Sequence, residues 1–438
     1  MSAMSCPKWA GSALRKLRAL VYLPLGTSRT RRGGPVVPRA SAKMGPPRHQ
    51  WTKTSPPFLM AMGAPEVSQV SKGVQLNGLH EPRYTAYWQS LTTRCCASGG
   101  LVVDVGANLG WFSLLSARMG CRVLAFEPVP AIAALFMASA ELNNLSHRIA
   151  LHRAVASDDP THQPVHLHFQ AHSWDTSSID GTASGNNRST LIRAPSATLD
   201  AFVSESPCAL KVDVEGYEPA VLRGGAASFK RYPPRVVMLE YTPGALERKA
   251  AAGHPNALDG APAFPSMLRT LLGYGYRLYK LPERSKHRPV SPKVIQKGSL
   301  PALWELNATV LQVETANARR MQHAYTRCGF ALPSELLPGS LRASFDYNTD
   351  VLAVRASVDE AALLRSRGVL RAAKIKLPQA RESPDRCVPP RGYSGQNKSW
   401  RQLSYCWWVA EGCYFRQGHG LRILGRESRH RQHSRTGE

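Results

Sequence analysis

"LVVDVGANLGWFSLLSARMGCRVLAFEP", residues 101–128, decides the fold. An apolar run, 101–105, stops abruptly at Gly106, and a second glycine follows at Gly110. A second apolar run, 122–126, ends in a single carboxylate, Glu127. Both runs are rich in Val and Leu and lack clean alternation, so both faces of each strand are expected to be covered. The segment between them, 110–119, reads as a helix. Strand, helix and strand with short joints form a parallel crossover unit.

The same alternation continues outward. Further strands are expected at 149–156, 209–214 and 235–241, and helices at 130–143 and 218–230. Residues 265–281 read as one more helix and strand, and 350–356 as a final strand. Before it lies an insertion, 282–347, of about 65 residues, too long for an ordinary loop. The fold class that follows is α/β, a doubly wound, mostly parallel sheet. Residues 81–96 read as a short helix leading into it.

In such sheets ligands bind beyond the carboxyl ends of the strands. Gly106 takes backbone angles closed to other residues, and Gly110 is expected to let a ligand approach the start of the helix. The dinucleotide pattern G-x-G-x-x-G is absent, because Asn108 stands where its second glycine belongs. An asparagine crowds a pyrophosphate but hydrogen-bonds an amino acid moiety. Glu127 lies at the tip of the second strand, where a carboxylate accepts from both ribose hydroxyls. A ribose with a non-phosphate tail points to S-adenosylmethionine. Asp104 is then placed to face the ligand's ammonium, and Asp158, after the third strand, to accept from the adenine amino group. The alternatives are a joint whose glycines serve only the turn, with Glu127 in solvent, and a plain turn residue at Asp158.

"VVDVGANLGWFSLLSA", "AFEPVP", "ELNNL", "HRAVASDD", "SATLDAFV" and "LKVDVEGYEPAVLRGG" together resemble the FkbM family of S-adenosylmethionine-dependent methyltransferases, in order and spacing, over about residues 101–242. "NTDVLAVRA" resembles the family's closing strand. The resemblance implies a class I methyltransferase-like, Rossmann-type sheet of seven strands, with the insertion before the last. It also implies O-methylation of a hydroxyl on a sugar, glycan or other small molecule. Competing readings are an RNA methyltransferase and a non-catalytic basic scaffold that retains the fold. The insertion and a basic tail depart from a compact member.

Methyl transfer from a sulfonium needs an aligned acceptor and, in many cases, a base. "LKVDVEGYE" sets Asp213 and Glu215 at the end of a buried strand, on one face because side chains alternate. Asp213 is the candidate base or acceptor-orienting residue and Glu215 its partner. Lys211 shares their face. Two other readings stay open: one carboxylate caps the helix that begins near residue 217, or both bind a divalent metal, for which no third ligand is evident. No metal is therefore assigned. The shared strand face of His166 and His168 likewise yields none. Trp111 and Phe112 are expected to pack the core or wall the cofactor pocket.

The chain has 438 residues and a formal net charge of +26. Residues 1–65 hold eleven Lys or Arg and no acid, and residues 371–438 carry fourteen basic and five acidic side chains. Residues 101–245 have eleven basic and thirteen acidic ones. The positive charge thus belongs to the ends, not to a binding face, and nucleic acid is not the expected partner. Residues 1–70 read as a transit-peptide-like or disordered leader, 71–360 as the methyltransferase domain and 361–438 as a basic, disordered tail. Leader composition points to an organelle, a chloroplast rather than a mitochondrion, or to the cytoplasm if the arm is only disordered. No stretch approaches the roughly 20 apolar residues of a membrane span. Of the nine cysteines none is spaced Cys-x-x-Cys. Cys95 and Cys96 are adjacent, Cys121 and Cys208 abut apolar runs, and neither a disulfide framework nor a zinc site is expected.

Overall fold

The computed structural model describes residues 48–179, 190–251, 256–281, 300, 302–328, 341, 349–355, 362, 364–365, 369–371, 407–409, 412–416 and 421–424. The chain opens with a hairpin of β1 (Arg48–Trp51) and β2 (Leu59–Met62), then α1 (Gln69–Asn77) and α2 (Pro82–Ala97). The crossover unit follows as β3 (Leu101–Val105), α3 (Trp111–Arg118) and β4 (Arg122–Phe126), and then α4 (Pro130–Leu142) and β5 (Ile149–His152). An excursion contains β6 (Val155–Ala156), β7 (Val165–Phe169), β8 (Ser178–Ile179), β9 (Thr190–Ala194) and β10 (Ser196–Ala197). The second half runs β11 (Ala209–Val212), α5 (Glu218–Arg223), α6 (Ala226–Arg231), β12 (Val236–Tyr241), α7 (Gly244–Ala251), α8 (Ala263–Gly273) and β13 (Tyr276–Lys280). It closes with β14 (Leu303–Leu306), α9 (Ala308–Cys328), β15 (Thr349–Arg355) and β16 (Leu370–Arg371).

The main sheet has the order β16-β14-β13-β15-β12-β11-β3-β4-β5. Its seven consecutive members from β13 to β5 are the expected strands. β12, β11, β3, β4 and β5 run parallel, and β15 is antiparallel to both neighbours. Successive residues of each strand feed opposite layers. Val102, Val123 and Ala209 pack with Trp88, Trp111 and Phe136 on one face. Val103, Leu124 and Leu210 pack with Phe229, Leu268 and Leu311 on the other. Burying each large side chain contributes about 1.5–3 kcal/mol. The buried indoles keep partners: Trp88 Nε1 donates to Ser116 Oγ at 2.9 Å and Trp111 Nε1 to Thr85 Oγ1 at 2.8 Å. α2 and α4 each carry proline in the first turn, where its missing N–H costs nothing.

The structure corrects several boundaries. The third strand is split: β5 stays in the main sheet while β6 leaves it to pair with β10. The helix expected over 218–230 is two helices, because the Asp200 carboxylate accepts from Ala227 N and Ser228 N at 3.1 and 2.6 Å and starts a new one. Folded chain begins well before residue 70: Phe58 and Met60 are fully buried against the core. The part of the leader at 1–47 lies outside the described residues. The insertion supplies strand β14 and helix α9, and the edge strand β16 comes from the expected tail, so the sheet has nine strands instead of seven. In the expected tail, β17 (Trp407–Val409), β18 (Gly412–Arg416) and β19 (Leu421–Leu424) form a separate antiparallel sheet. Most of the rest of that tail lies outside the described residues.

The cysteine expectation fails as well. Cys95 is bonded to Cys208 and Cys96 to Cys121. Adjacent positions on a helix point about 100° apart, so the neighbours reach different partners across α2. One reaches the start of β11 and the other the start of β4. Disulfides closing loops of this kind typically contribute about 2–4 kcal/mol.

Candidate active site

Beyond the carboxyl ends of β3, β4 and β11 lies a cavity of about 660 Å³. The backbone of the loop after β3 forms one wall. Gly106 adopts φ +76°, and a Cβ there would collide with the carbonyl oxygen of Asp213. The amides of Gly106 and Ala107 both donate to the Phe126 carbonyl at 3.0 Å, which clamps the loop onto β4. Asn108 is also left-handed, at φ +49°. Its amide donates to Glu127 Oε2 at 2.9 Å and its Nδ2 to Asp175 Oδ1 at 3.0 Å, while its Oδ1 accepts from Leu109 N.

Glu127 lines this cavity and is only 5% exposed. Its Oε1 accepts from Val129 N at 2.9 Å, so each carboxylate oxygen holds one backbone amide and keeps lone-pair capacity for a second donor. Burial raises its pKa to about 7, against the pull of those two amides.

Three of the cofactor candidates sit elsewhere. Gly110, at φ +82°, does not line the cavity; a Cβ there would strike the Phe136 ring, so this glycine serves the packing of α3 on α4. Asp104 is fully buried behind the wall, where its Oδ2 accepts from Ser113 Oγ at 2.7 Å. Burial raises its pKa, partly countered by Lys211. Asp158 turns outward to an ion pair with Arg223 Nε at 2.7 Å. After the third strand the cavity is lined instead by Ala154, Val155 and Ala156.

Lys211, Asp213 and Glu215 also line the cavity, with the Asp213 backbone directly beside Gly106. Lys211 Nζ lies 3.2 Å from Asp213 Oδ2 and 3.9 Å from Asp104 Oδ1. Burial pulls the lysine pKa down, but Asp213, Asp104 and Glu81 outweigh it and hold the pKa above the ordinary value. Glu215 takes φ +56° and Gly216 φ +105°; a non-glycine residue there costs about 1–3 kcal/mol. Neither carboxylate caps α5, whose N-cap, Tyr217, has no side-chain cap hydrogen bond; Glu218 Oε1 accepts instead from Val214 N and Gly216 N in the preceding loop. The missing third carboxylate is Glu240, on β12: ligand oxygens of Asp213, Glu215 and Glu240 lie within 4.8 Å of one another. Clusters of this kind are common without an ion. Trp111 and Phe112 are buried and line the cavity, so both readings of them hold.

The cover of the cavity was not legible. α1 and the start of α2 supply Val70, Glu81 and Arg83 to its lining. Glu81 is a third left-handed non-glycine residue of the lining, at φ +41°. Tyr84 OH pins α2 to β15 through Asp350 Oδ2 at 2.6 Å. Asp175, from the turn before β8, takes Gln69 N at 2.6 Å on Oδ2 and Asn108 on Oδ1, tying the excursion to α1 and to the cavity wall. The only sequence signal was an acid directly ahead of a helix-starting proline, Glu81-Pro82.

Much of this cavity falls in a recognised unit: residues 104–278 match the family described as Methyltransferase FkbM domain. Over 142 residues the chain is 33% identical to Methyltransferase 1 of Beauveria bassiana (strain ARSEF 2860), covering 28% of this chain and 57% of that protein. Among solved structures, Methyltransferase FkbM from Methylobacillus flagellatus KT is 17% identical, with 42% of this chain and 40% of that chain covered and a TM-score of 0.27. A methyltransferase from Geobacter sulfurreducens in complex with S-adenosyl-L-homocysteine is 12% identical, with 64% and 94% covered and a TM-score of 0.28. The FkbM domain contains Glu127, Lys211, Asp213 and Glu215, whereas Glu81 and the rest of the cover lie ahead of it.

Proposed function

We propose that this chain is an S-adenosylmethionine-dependent O-methyltransferase acting on a hydroxyl of a sugar, glycan or other small molecule. The supporting observation is Glu127, a carboxylate withdrawn from bulk solvent yet facing a cavity. Each of its oxygens keeps room for one more donor, which suits a pair of ribose hydroxyls. Gly106 and Asn108 form the adjoining wall, so the residues present fit the cofactor.

When bound, S-adenosylmethionine supplies an electrophilic methyl group on a sulfonium. Asp213 takes the acceptor hydroxyl's proton while the new oxygen–carbon bond forms and the carbon–sulfur bond breaks; the products are a methyl ether and S-adenosylhomocysteine. Lys211, 3.2 Å from Asp213 Oδ2, fixes the orientation of that carboxylate. Glu215 orients the acceptor. The cover residues of α1 and α2 exclude water.

Overall basicity favours a second reading, RNA methylation. Against it, the cavity wall presents Glu81, Asp175, Asp213 and Glu215, which oppose a phosphate-rich acceptor. Transfer of tritiated methyl from S-adenosylmethionine into a fractionated cell extract separates these readings. Label in small-molecule or glycan fractions is expected. Label only in RNA would replace the reading, and no label despite cofactor binding would leave a scaffold. The acid-free stretch ahead of residue 48 supports an organelle-targeting leader; a 1–47 fluorescent fusion that stays cytosolic would contradict it.

Binding should also depend on pH. Glu127 has a pKa of about 7, raised from an unfolded value near 4.5. Its contribution to folding stability is therefore full below about 4.5 and lost as pH rises through about 7. Ligand affinity runs the other way, because ribose hydroxyls donate to the ionised form. The dissociation constant of 5′-methylthioadenosine, which lacks the amino acid group, should rise up to about tenfold per pH unit below 7 and stay flat above it. A flat profile throughout, in a folded protein, would contradict the role of Glu127.

A further inference from the structure

The loop after β11 carries both candidate catalytic carboxylates, and at Glu215 its backbone takes a conformation the side chain does not favour. Glu215 and Gly216 are left-handed in succession. At its start the loop is anchored to β3, with Asp213 N donating to the Val105 carbonyl at 3.1 Å. Toward its end two of its amides are held by one atom. Oε1 of Glu218, the first residue of α5, accepts from Val214 N at 3.1 Å and from Gly216 N at 3.0 Å. Val214 N belongs to the peptide plane that follows Asp213, and Gly216 N to the plane that follows Glu215. Fixing those two planes fixes where the two carboxylates point.

Glu218 does not line the cavity and is 0% exposed. Its Oε2 is buried with no hydrogen-bond partner, a costly state for a carboxyl oxygen. Burial raises the pKa to about 7, despite the Gly216 and Val214 amides. A buried acid kept under these conditions calls for an account, and capping of α5 does not supply it.

We propose that Glu218 is a positioning residue for methyl transfer: its Oε1 braces residues 213–217 so that Asp213 and Glu215 converge on the cavity. The proposal deepens the methyltransferase reading and rests on it. What the brace requires is an acceptor oxygen at Oε1, not a negative charge. Glutamine keeps that oxygen, whereas aspartate keeps the charge but falls one methylene short.

The experiment compares full-length wild type with E218A, E218D and E218Q in two measurements. Hydrogen–deuterium exchange of peptides spanning 213–217 needs no acceptor. Steady-state transfer of tritiated methyl uses the extract fraction that wild type labels. E218A and E218D are expected to speed exchange of the loop at least tenfold and to lower kcat about 100-fold, the cost of an ångström-scale misplacement. S-adenosylmethionine affinity should change less than threefold. E218Q is expected to restore both loop protection and turnover to within about fivefold of wild type.

Wild-type exchange and turnover in E218A would overturn the proposal. So would an E218Q that protects the loop but turns over like E218A, or the failure of all three variants to fold, which would make the residue a fold determinant only. If exchange responds as expected while no form transfers methyl, the brace stands and the methyltransferase reading falls. If wild type transfers methyl and the loop ignores Glu218, the reading stands and the brace falls.

Discussion

Replacing Glu127 with alanine is expected to weaken S-adenosylmethionine binding by about 10²- to 10⁴-fold. A hydrogen bond to a charged group contributes about 1.5–3 kcal/mol, and two ribose hydroxyls give about 3–6 kcal/mol, at 1.4 kcal/mol per decade. The substitution also strips an acceptor from Asn108 N and Val129 N, which loosens the wall that faces the adenosine. Titration calorimetry reads the loss, and circular dichroism checks the fold. Glu127→Gln should fall between, since it retains one acceptor oxygen. An affinity within threefold of wild type in a folded Glu127→Ala would remove the residue from the cofactor site.

Replacing Asp213 with asparagine is expected to lower kcat by about 10²- to 10⁴-fold, the usual contribution of a general base. Asparagine preserves size and still accepts from Lys211, so the loop and the lysine keep their places. Cofactor affinity should stay within about threefold, because the substitution keeps the side chain's shape and leaves Glu127 and its two amide donors untouched. Glu215→Gln is expected to act mainly through KM for the acceptor. Undiminished turnover in Asp213→Asn would transfer the base role elsewhere, with Glu215 the first alternative.

The parts of the site that were legible in the sequence share one property: they are set by strand geometry and short-range sequence. A strand that ends at Gly106 and another that ends at Glu127 must bring their tips together, because parallel neighbours in a crossover share an edge. The same logic placed Lys211, Asp213 and Glu215 at that same edge of the sheet. What failed needed a partner remote in sequence. Gly110 looked like a ligand contact because nothing nearby announces Phe136 as the group that crowds it. Asp104 sits on the right strand, but alternation says which face a side chain takes and not whether Ser113 and Lys211 have already claimed it. Asp158 was drawn away by Arg223, 65 positions on.

The cysteines and the cover teach the same lesson at larger scale. Adjacency correctly excluded a Cys95–Cys96 bond but is silent on two cross-links leaving one helix in different directions. The hairpin and α1 are short, with β1 and β2 only four residues each, so periodicity could not lift them out of a basic leader. Their place is fixed by tertiary contacts such as Asp175 with Gln69. Glu218 was quoted within the family-like motif, yet its brace depends on a left-handed turn that residue types alone do not specify.

The central claim is that the cavity beside Gly106 and Glu127 holds the nucleoside of the methyl donor. A crystal structure of the full-length protein with S-adenosylhomocysteine tests it most directly. Both ribose hydroxyls are expected at hydrogen-bond distance from the two Glu127 oxygens, about 2.5–2.7 Å, with the adenine against residues 154–156. Ligand bound elsewhere, or Glu127 left without contact to the ribose, would contradict it.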